Sequence, residues 1–182
     1  LEQVPVRYFS HSGKEEVALH VDMIHRYWKN DSESPTPIIH WRNDLRRSLT
    51  IVDIVTRDRN SLFEKLTGAF SVASLNILGA RAVTRKDGLA IDVFYVEDKN
   101  GGVVDDPKIR QLCESSIRSF RADKMSPDEL ISEKKKKTDR SQRFSNQDKL
   151  GERIASQVDV YRDISLNRTI VEVRAPDQVG LL

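Results

Sequence analysis

The residues with the clearest arrangement for ligand chemistry lie in a polar loop between an Ile/Val-rich strand pattern at 49–56 and an apolar helical stripe that starts at Leu62. A strand-to-helix turn of this kind leaves backbone N–H groups that can receive a carboxylate, and an aspartate beside them can hold an ammonium group. The loop is therefore a candidate receptor for a free α-amino acid, but a simple helix cap explains its aspartate equally well. Asn76, after the helix, would add a neutral donor and acceptor nearby. The loop residues are Asp58, Arg59, Asn60 and Ser61.

This strand-loop-helix pattern occurs twice, and the copies Thr50–Phe63 and Thr169–Leu182 are 119 positions apart. In the second copy Asp177 takes the place of Asp58, and Gly180 takes the place of the loop serine. Glycine lets a ligand approach the backbone more closely than serine does. We therefore expect the second loop to have the main binding role, with Asp58 and Asn76 secondary.

Catalytic chemistry has little support in the sequence. His20 and His25 are five residues apart, about 140° around a helix, whereas pairs that bind a metal lie at i, i+3 or i, i+4. The 182 residues contain no nucleophile motif and no glycine-rich phosphate loop. Cys113 lies on an apolar helical stripe, as a buried cysteine does. We therefore expect no catalytic residue, no metal site and no cofactor in this chain.

The charge balance and hydropathy restrict the partners. Thirty basic and twenty-eight acidic residues give a formal charge of +2, so no global field favours nucleic acid or an anionic membrane. No apolar run approaches the length that spans a bilayer, and the start of the sequence is not a signal peptide. These features predict a cytoplasmic chain without a nucleic-acid or membrane partner.

The predicted elements form an α+β fold. Strands at 49–56, 77–84 and 89–96 alternate with helices near 61–74 and 107–121, and a last strand at 157–162 would complete a ferredoxin-like βαββαβ sandwich. Its two helices would cover one face of a four-stranded antiparallel sheet.

The segment before this module contains a predicted helix, which would dock through an apolar stripe. The stripe consists of Val17, Val21, Ile24 and Trp28. Residues Ile38 to Arg42 are predicted to be a short apolar segment that leads into the first strand of the module.

Domain boundaries follow from these elements. Residues 1–47 form the preceding region and linker helix, 48–163 the first module with a polar insert at about 121–156, and 164–182 the first strand of a truncated second module. Since Thr169 to Val173 would lack its own module, we expect it to pair with another chain or with an exposed edge of the first module. The sequence thus predicts self-association through strands.

Several motifs in the first module resemble those of an ACT domain, and more narrowly the first of two C-terminal ACT domains of the bacterial PII uridylyltransferase/uridylyl-removing enzymes. The second copy is similar to the start of that family's second ACT domain. The motifs are Asp58-Arg-Asn-Ser-Leu-Phe63, Gly68-Ala-Phe70, Leu75-Asn-Ile77, Ala80-Arg-Ala82 and Asp87-Gly-Leu-Ala-Ile-Asp-Val-Phe-Tyr-Val96.

The resemblance implies an amino-acid-sensing regulatory region, with glutamine as the effector, in an enzyme that controls nitrogen assimilation. The parent enzyme would add and remove uridylyl groups on the PII signal protein through a nucleotidyltransferase and a phosphodiesterase domain that use a divalent metal such as Mg²⁺. Neither complete catalytic domain is expected in this chain, and the resemblance implies that residues 1–47 hold the end of the preceding hydrolase domain and a linker helix. Because ACT ligands are held where two modules meet, this chain alone should bind glutamine weakly or not at all. The alternative is a structural or dimerisation module without a ligand.

Overall fold

A computed structural model of the chain describes residues 3–29, 35–120, 157–163 and 168–174. Short turns separate most of its neighbouring elements. In chain order these are α1 (Val6–His11), α2 (Lys14–Lys29), β1 (Ile38–Asp44), β2 (Leu49–Arg57), α3 (Leu62–Val72), β3 (Asn76–Thr84), β4 (Leu89–Glu97), α4 (Pro107–Phe120), β5 (Gln157–Asp163) and β6 (Arg168–Arg174).

A four-stranded antiparallel sheet organises the fold, with its strands in the order β1-β2-β4-β3. The central strands β2 and β4 are rich in Ile and Val, and nearly all of their residues are buried on both faces. Their continuous apolar character follows from this position, because helices cover the sheet on both sides.

Helices α3 and α4 cover one face. Phe70 of α3 packs against Phe94 of β4 with ring centroids 4.7 Å apart, and Leu66 and Ile117 belong to the same core. Cys113 is fully buried in it, as predicted. The α+β class, the four-stranded antiparallel sheet and both helices on one face are therefore confirmed, as expected for a ferredoxin-like arrangement.

Helices α1 and α2 cover the other face. Met23 and Tyr27 are buried against Val55 and Ile91 of the sheet. The predicted docking stripe is right for Val17 and Ile24, which pack against this core, and wrong for Val21 and Trp28, which are 43% and 48% exposed. The buried residues of α2 are His20, Met23 and Tyr27.

The predicted fourth strand of the sheet is also wrong. The edge position beside β2 belongs to β1, the segment interpreted as a mere approach to the module. Residues 157–162 do form a strand, but β5 pairs with β6 in a separate hairpin. A strand joined to β2 by a short turn closes a much smaller loop than one beyond the 121–156 insert, so the local pairing has the lower entropic cost.

The hairpin also corrects the expectation for the strand at 169–173. This segment lies in β6, and Val158 pairs with Val173 and Tyr161 with Ile170 in an antiparallel register. It therefore has a partner within the chain and needs neither another chain nor the edge of the first module.

Candidate functional site

The loop between β2 and α3 holds the predicted binding residues, and its aspartate is attached to the β3–β4 hairpin. The Asp58 N–H donates to the carbonyl of Gly88 at 2.9 Å, and the Asp58 carboxylate accepts a hydrogen bond of 3.0 Å from the Thr84 hydroxyl. The N-cap of α3 is Ser61, which has a left-handed backbone (φ 57°) and caps the helix with no side-chain hydrogen bond. The interpretation of Asp58 as a helix cap is therefore wrong.

The rest of the loop offers little enclosed space. Asn60 and Ser61 are exposed, and Arg59 is half-buried. Arg59 and Lys65 line a cleft of about 20 Å³ beside Thr56, which is room for about one water molecule. An amino acid would therefore have to bind on the open side of the loop, toward β3.

The other predicted residues do not join this loop. Asn76 begins β3 at the opposite end of the sheet, where its amide donates to Glu97 at 2.7 Å. Eight residues of extended strand separate it from Thr84, roughly 25 Å, so the expectation that it lies near Asp58 is wrong. Asp177 and Gly180 lie outside the described residues.

A second aspartate lies on the same face of the sheet as the loop. Asp92 of β4 is 3% exposed, and its Oδ2 atom has no hydrogen-bond partner. It lies opposite Ile54 of β2 and Ala82 of β3. The first turn of α3 reaches this region, since Phe63 stacks on Phe94, the next residue of β4 on that face, at 5.6 Å.

Burial, with an added contribution from the Asp58 carboxylate, raises the pKa of Asp92 to about 7 from an ordinary value of 3.8. Burial disfavours the charged form because no dipole replaces the lost water, and the neighbouring negative charge acts in the same direction. Asp58 and Thr84 are hydrogen-bonded to each other, and Asp92 is close enough for the Asp58 charge to raise its pKa. Such a group of oxygen atoms can accept an ammonium ion or share a proton.

Asp92 is not among the binding residues predicted from the sequence, because it lies within a strand pattern and not in a loop. The available signal was a carboxylate flanked by Ile91 and Val93 inside a run of strand formers, a position where charge is costly. Asp53 carries the same signal within Ile51 to Val55.

Asp53 belongs to a polar cluster on the opposite face, beneath α1 and α2. It is fully buried and accepts hydrogen bonds from His20 Nε2 at 3.0 Å and from Arg42 Nε at 2.9 Å. In the tautomer that carries its proton on Nε2, toward Asp53, the Nδ1 atom of His20 accepts the 2.6 Å hydrogen bond from the Tyr8 hydroxyl. Glu16 of α2 also belongs to the cluster, because it forms an ion pair with Arg42.

The electrostatics of this cluster are those of a paired structural network. Burial alone would raise the pKa of Asp53, but the hydrogen bonds from His20 and Arg42 outweigh it, and the pKa is lowered. Burial raises the pKa of the Tyr8 hydroxyl, which is the opposite of what a nucleophile or base needs. The hydrogen bonds from Tyr8 to His20 and from His20 to Asp53 therefore attach the helices to the sheet. They do not resemble a catalytic relay.

A cavity of about 220 Å³ adjoins this cluster between the first two helices and the β3 side of the sheet. Its apolar wall includes Val83, Ile91 and Val93, and its polar wall includes Glu16 and Arg81. Arg81 is bound to Glu16 and to the carbonyl of His11, so most polar groups here are already paired.

Metal chemistry and membrane insertion find no support in the described part of the chain. Among residues 3–29, 35–120, 157–163 and 168–174, no group of three or more His, Cys, Asp or Glu side chains is arranged to hold a metal ion. None of the helices within those ranges has the length and apolar character needed to cross a bilayer.

Comparison with known proteins finds similarity to bifunctional uridylyltransferase/uridylyl-removing enzymes. The chain is 29% identical to that of Azospirillum brasilense over 147 residues, 79% of this chain and 15% of the relative. It is 31% identical to that of Caulobacter vibrioides over 134 residues, 72% of the chain and 13% of the relative. With that of Ectopseudomonas mendocina the identity is 26% over 180 residues, 96% of the chain and 18% of the relative.

These relatives are much longer than this chain, which spans less than a fifth of the length of each. No protein-family model matches the chain. No solved structure matches it either.

Proposed function

Most of this chain is similar in sequence to one segment of the bifunctional uridylyltransferase/uridylyl-removing enzymes, and from this premise we propose that it is a regulatory, amino-acid-sensing region of such an enzyme. The effector is a free amino acid, with glutamine the first candidate. The α+β fold with a four-stranded antiparallel sheet is consistent with an ACT-type sensor.

One observation carries this proposal: beside the first turn of a helix, a buried aspartate whose Oδ2 atom has no hydrogen-bond partner lies near a second aspartate. Asp58 is exposed at the end of β2, and the buried Asp92 lies close enough for Asp58 to raise its pKa. An α-amino acid carries an ammonium group and a carboxylate on one carbon. The aspartates match the first group, and the positive end of the α3 dipole matches the second.

The partner of the parent enzyme in this proposal is the PII signal protein. Addition and removal of the uridylyl group, and the divalent metal they require, are assigned to segments other than this one. The role of the present region is to change those activities according to the effector concentration.

A structural role is the second candidate. Strand β3 lies at the edge of the sheet, with Leu78 50% exposed, so it offers a row of backbone groups to another strand. On this hypothesis the module pairs with a copy of itself or with the rest of the enzyme and binds no amino acid.

Calorimetric titration with each of the twenty amino acids distinguishes the two candidates. It uses this chain and a chain extended through a complete second module. We expect saturable glutamine binding in the extended chain, lost on Asp177→Ala, and weak or undetectable binding in the shorter one. Failure of every amino acid to bind either chain would contradict the sensing function and favour the structural role.

A further inference from the structure

Asp92 is a buried carboxyl group for which the fold supplies no partner. Nearly all buried polar side-chain atoms in proteins have a hydrogen-bond partner, so a buried polar atom without one requires an explanation. The Oδ2 atom of Asp92 has none, although the side chain is 3% exposed. Asp53 lies on the neighbouring strand and has three hydrogen bonds from charged or ring N–H donors. The sheet can therefore satisfy an aspartate at this depth, and Asp92 is the exception.

The surroundings of Asp92 are closed on one side and thinly covered on the other. Toward β2 it adjoins Ile54, which is fully buried below α3. Toward β3 its direct neighbour is Ala82, an exposed residue with a one-carbon side chain. Ala80 and Thr84, on the same face of β3, are exposed as well. A small molecule on the β3 side would thus lie one alanine away from the carboxyl group.

The charges around this position favour a cation. The neighbours of Asp92 on this face of β2 and β3 are Ile54, Thr56, Ala82 and Thr84, none of which is charged. Two cations on this face, Arg59 and Lys65, line the cleft beside Thr56 and Pro37, on the β1 side, and neither is among the charges that shift the pKa of Asp92. The charge that acts on Asp92 is that of Asp58, another carboxylate. A bound ammonium group would offset the repulsion between the two carboxylates.

A metal ion fits less well. Divalent cations take at least three or four protein or water oxygens, and no cluster of three candidate ligands exists in the described residues. An ammonium group needs only two or three acceptors, which Asp58, Asp92 and the Thr84 hydroxyl can provide.

We propose that Asp92, together with Asp58, binds the α-ammonium group of the amino acid effector, and that Asp92 gives up its proton when the effector binds. This inference rests on the proposed sensing function. Since the ammonium ion stabilises the carboxylate, the carboxylic acid Asp92–COOH becomes Asp92–COO⁻ and its proton goes to the buffer. Below about pH 7 binding therefore releases a proton, and well above it binding releases none.

The test is calorimetric titration of both chains with the amino acid that binds, in two buffers of different ionisation enthalpy, at about pH 6 and about pH 8. We expect release of nearly one proton at the lower pH and close to none at the higher one. The α-hydroxy acid of the same side chain, which lacks the ammonium group, should bind at least about tenfold more weakly.

Two variants test whether the released proton comes from Asp92. Asp92→Asn should remove the pH-dependent release and weaken binding at least about tenfold. The matched control Asp22→Asn changes an exposed aspartate on α2, across the sheet, and should leave both unchanged. The unmodified protein already tests proton release and the hydroxy acid, so a poorly folded Asp92 variant would not weaken the experiment.

The outcomes separate the two claims. If an amino acid binds without proton release at the lower pH, or if its hydroxy acid binds equally well, the role of Asp92 is wrong while the sensing function stands. If no amino acid binds to either chain, the sensing function fails, and this inference fails with it.

Discussion

Asp53 and Asp92 occupy neighbouring central strands at similar depth, yet on opposite faces of the sheet. In the β2–β4 register Asp53 pairs with Val93, and Asp92 pairs with Ile54, one position further along. Both side chains are almost completely buried. The pKa of Asp53 is nevertheless lowered, and that of Asp92 is raised to about 7. Burial is the same for both, so the difference comes from the partners.

The comparison separates structural from functional use of a buried charge. The helical face supplied by α1 and α2 brings a histidine and, through β1, an arginine to Asp53. The face under α3 brings apolar side chains, two threonines and another carboxylate to Asp92, but no cation that hydrogen-bonds to it. A buried charge that is paired holds elements together, whereas one without a partner costs stability and is retained where a ligand can use it.

The largest expected effect is that of Asp53→Ala. The change leaves His20 buried without its acceptor and Arg42 without its main partner, and breaking a buried pair in this way costs about 3–5 kcal/mol. We expect urea unfolding to show a loss of that order. Asp22→Ala, which removes an exposed carboxylate, is the control and should cost less than about 0.5 kcal/mol. A loss equally small for Asp53→Ala would show that the network does not attach the helices.

Asp92→Asn should stabilise the folded protein, in contrast to Asp53→Ala, and the size of this stabilisation should depend on pH. Well below pH 4, Asp92 is protonated in both the folded and unfolded chain, so its ionisation does not affect stability. As the pH rises from about 4 to about 7 the unfolded chain loses the proton first, so the stability of the folded state falls. Asn is never charged, and at about pH 8 we expect the variant to be more stable by roughly 1–3 kcal/mol.

Urea unfolding of both proteins at several pH values measures this difference. The gain should shrink steadily as the pH is lowered toward 4. The effect of Asp53 on stability has the reverse pH dependence. Because its folded-state pKa is lowered, the ionised Asp53 stabilises the folded protein above about pH 4, and this stabilisation is lost in stronger acid. A destabilised Asp92→Asn at high pH would mean that Asp92 has a structural partner and that the comparison is false.

The comparison also shows what the sequence could predict. The strands and the helices α3 and α4 follow from runs of Ile and Val and from apolar stripes, which depend on local periodicity. The contacts of His20 depend on which face of α2 meets the sheet. An apolar stripe that leaves out the buried histidine includes Val17 and Ile24, which do pack there, but also Val21 and Trp28, which do not. The prediction of the edge strand is wrong because both 38–42 and 157–162 have residues that favour a strand. Only the length of the connection to the rest of the sheet distinguishes the two segments.

Tyr8→Phe should give a smaller effect on the paired face. It removes the hydroxyl that donates to His20 Nδ1 at 2.6 Å but leaves the aromatic ring packed. The unpaired ring nitrogen should cost about 1–2 kcal/mol. Combined with Asp53→Ala the loss should be less than additive, since both act on His20. Full additivity in a double-mutant cycle would show that the three residues do not form one network.

The smallest effect on stability is expected from Ala82→Val, which changes the cover of Asp92 without changing any charge. Ala82 is exposed on the edge strand directly opposite Asp92, and valine is a better strand former, so unfolding should change by less than about 0.5 kcal/mol. The larger side chain removes more water from the carboxyl group, and the pKa of Asp92 should therefore rise from its value of about 7. Carboxyl ¹³C NMR titration measures that pKa, with the Asp53 signal as the internal reference that should not move. If the Asp92 pKa is unchanged, the carboxyl group is not approached from the β3 side, and a ligand would have to reach it by another route.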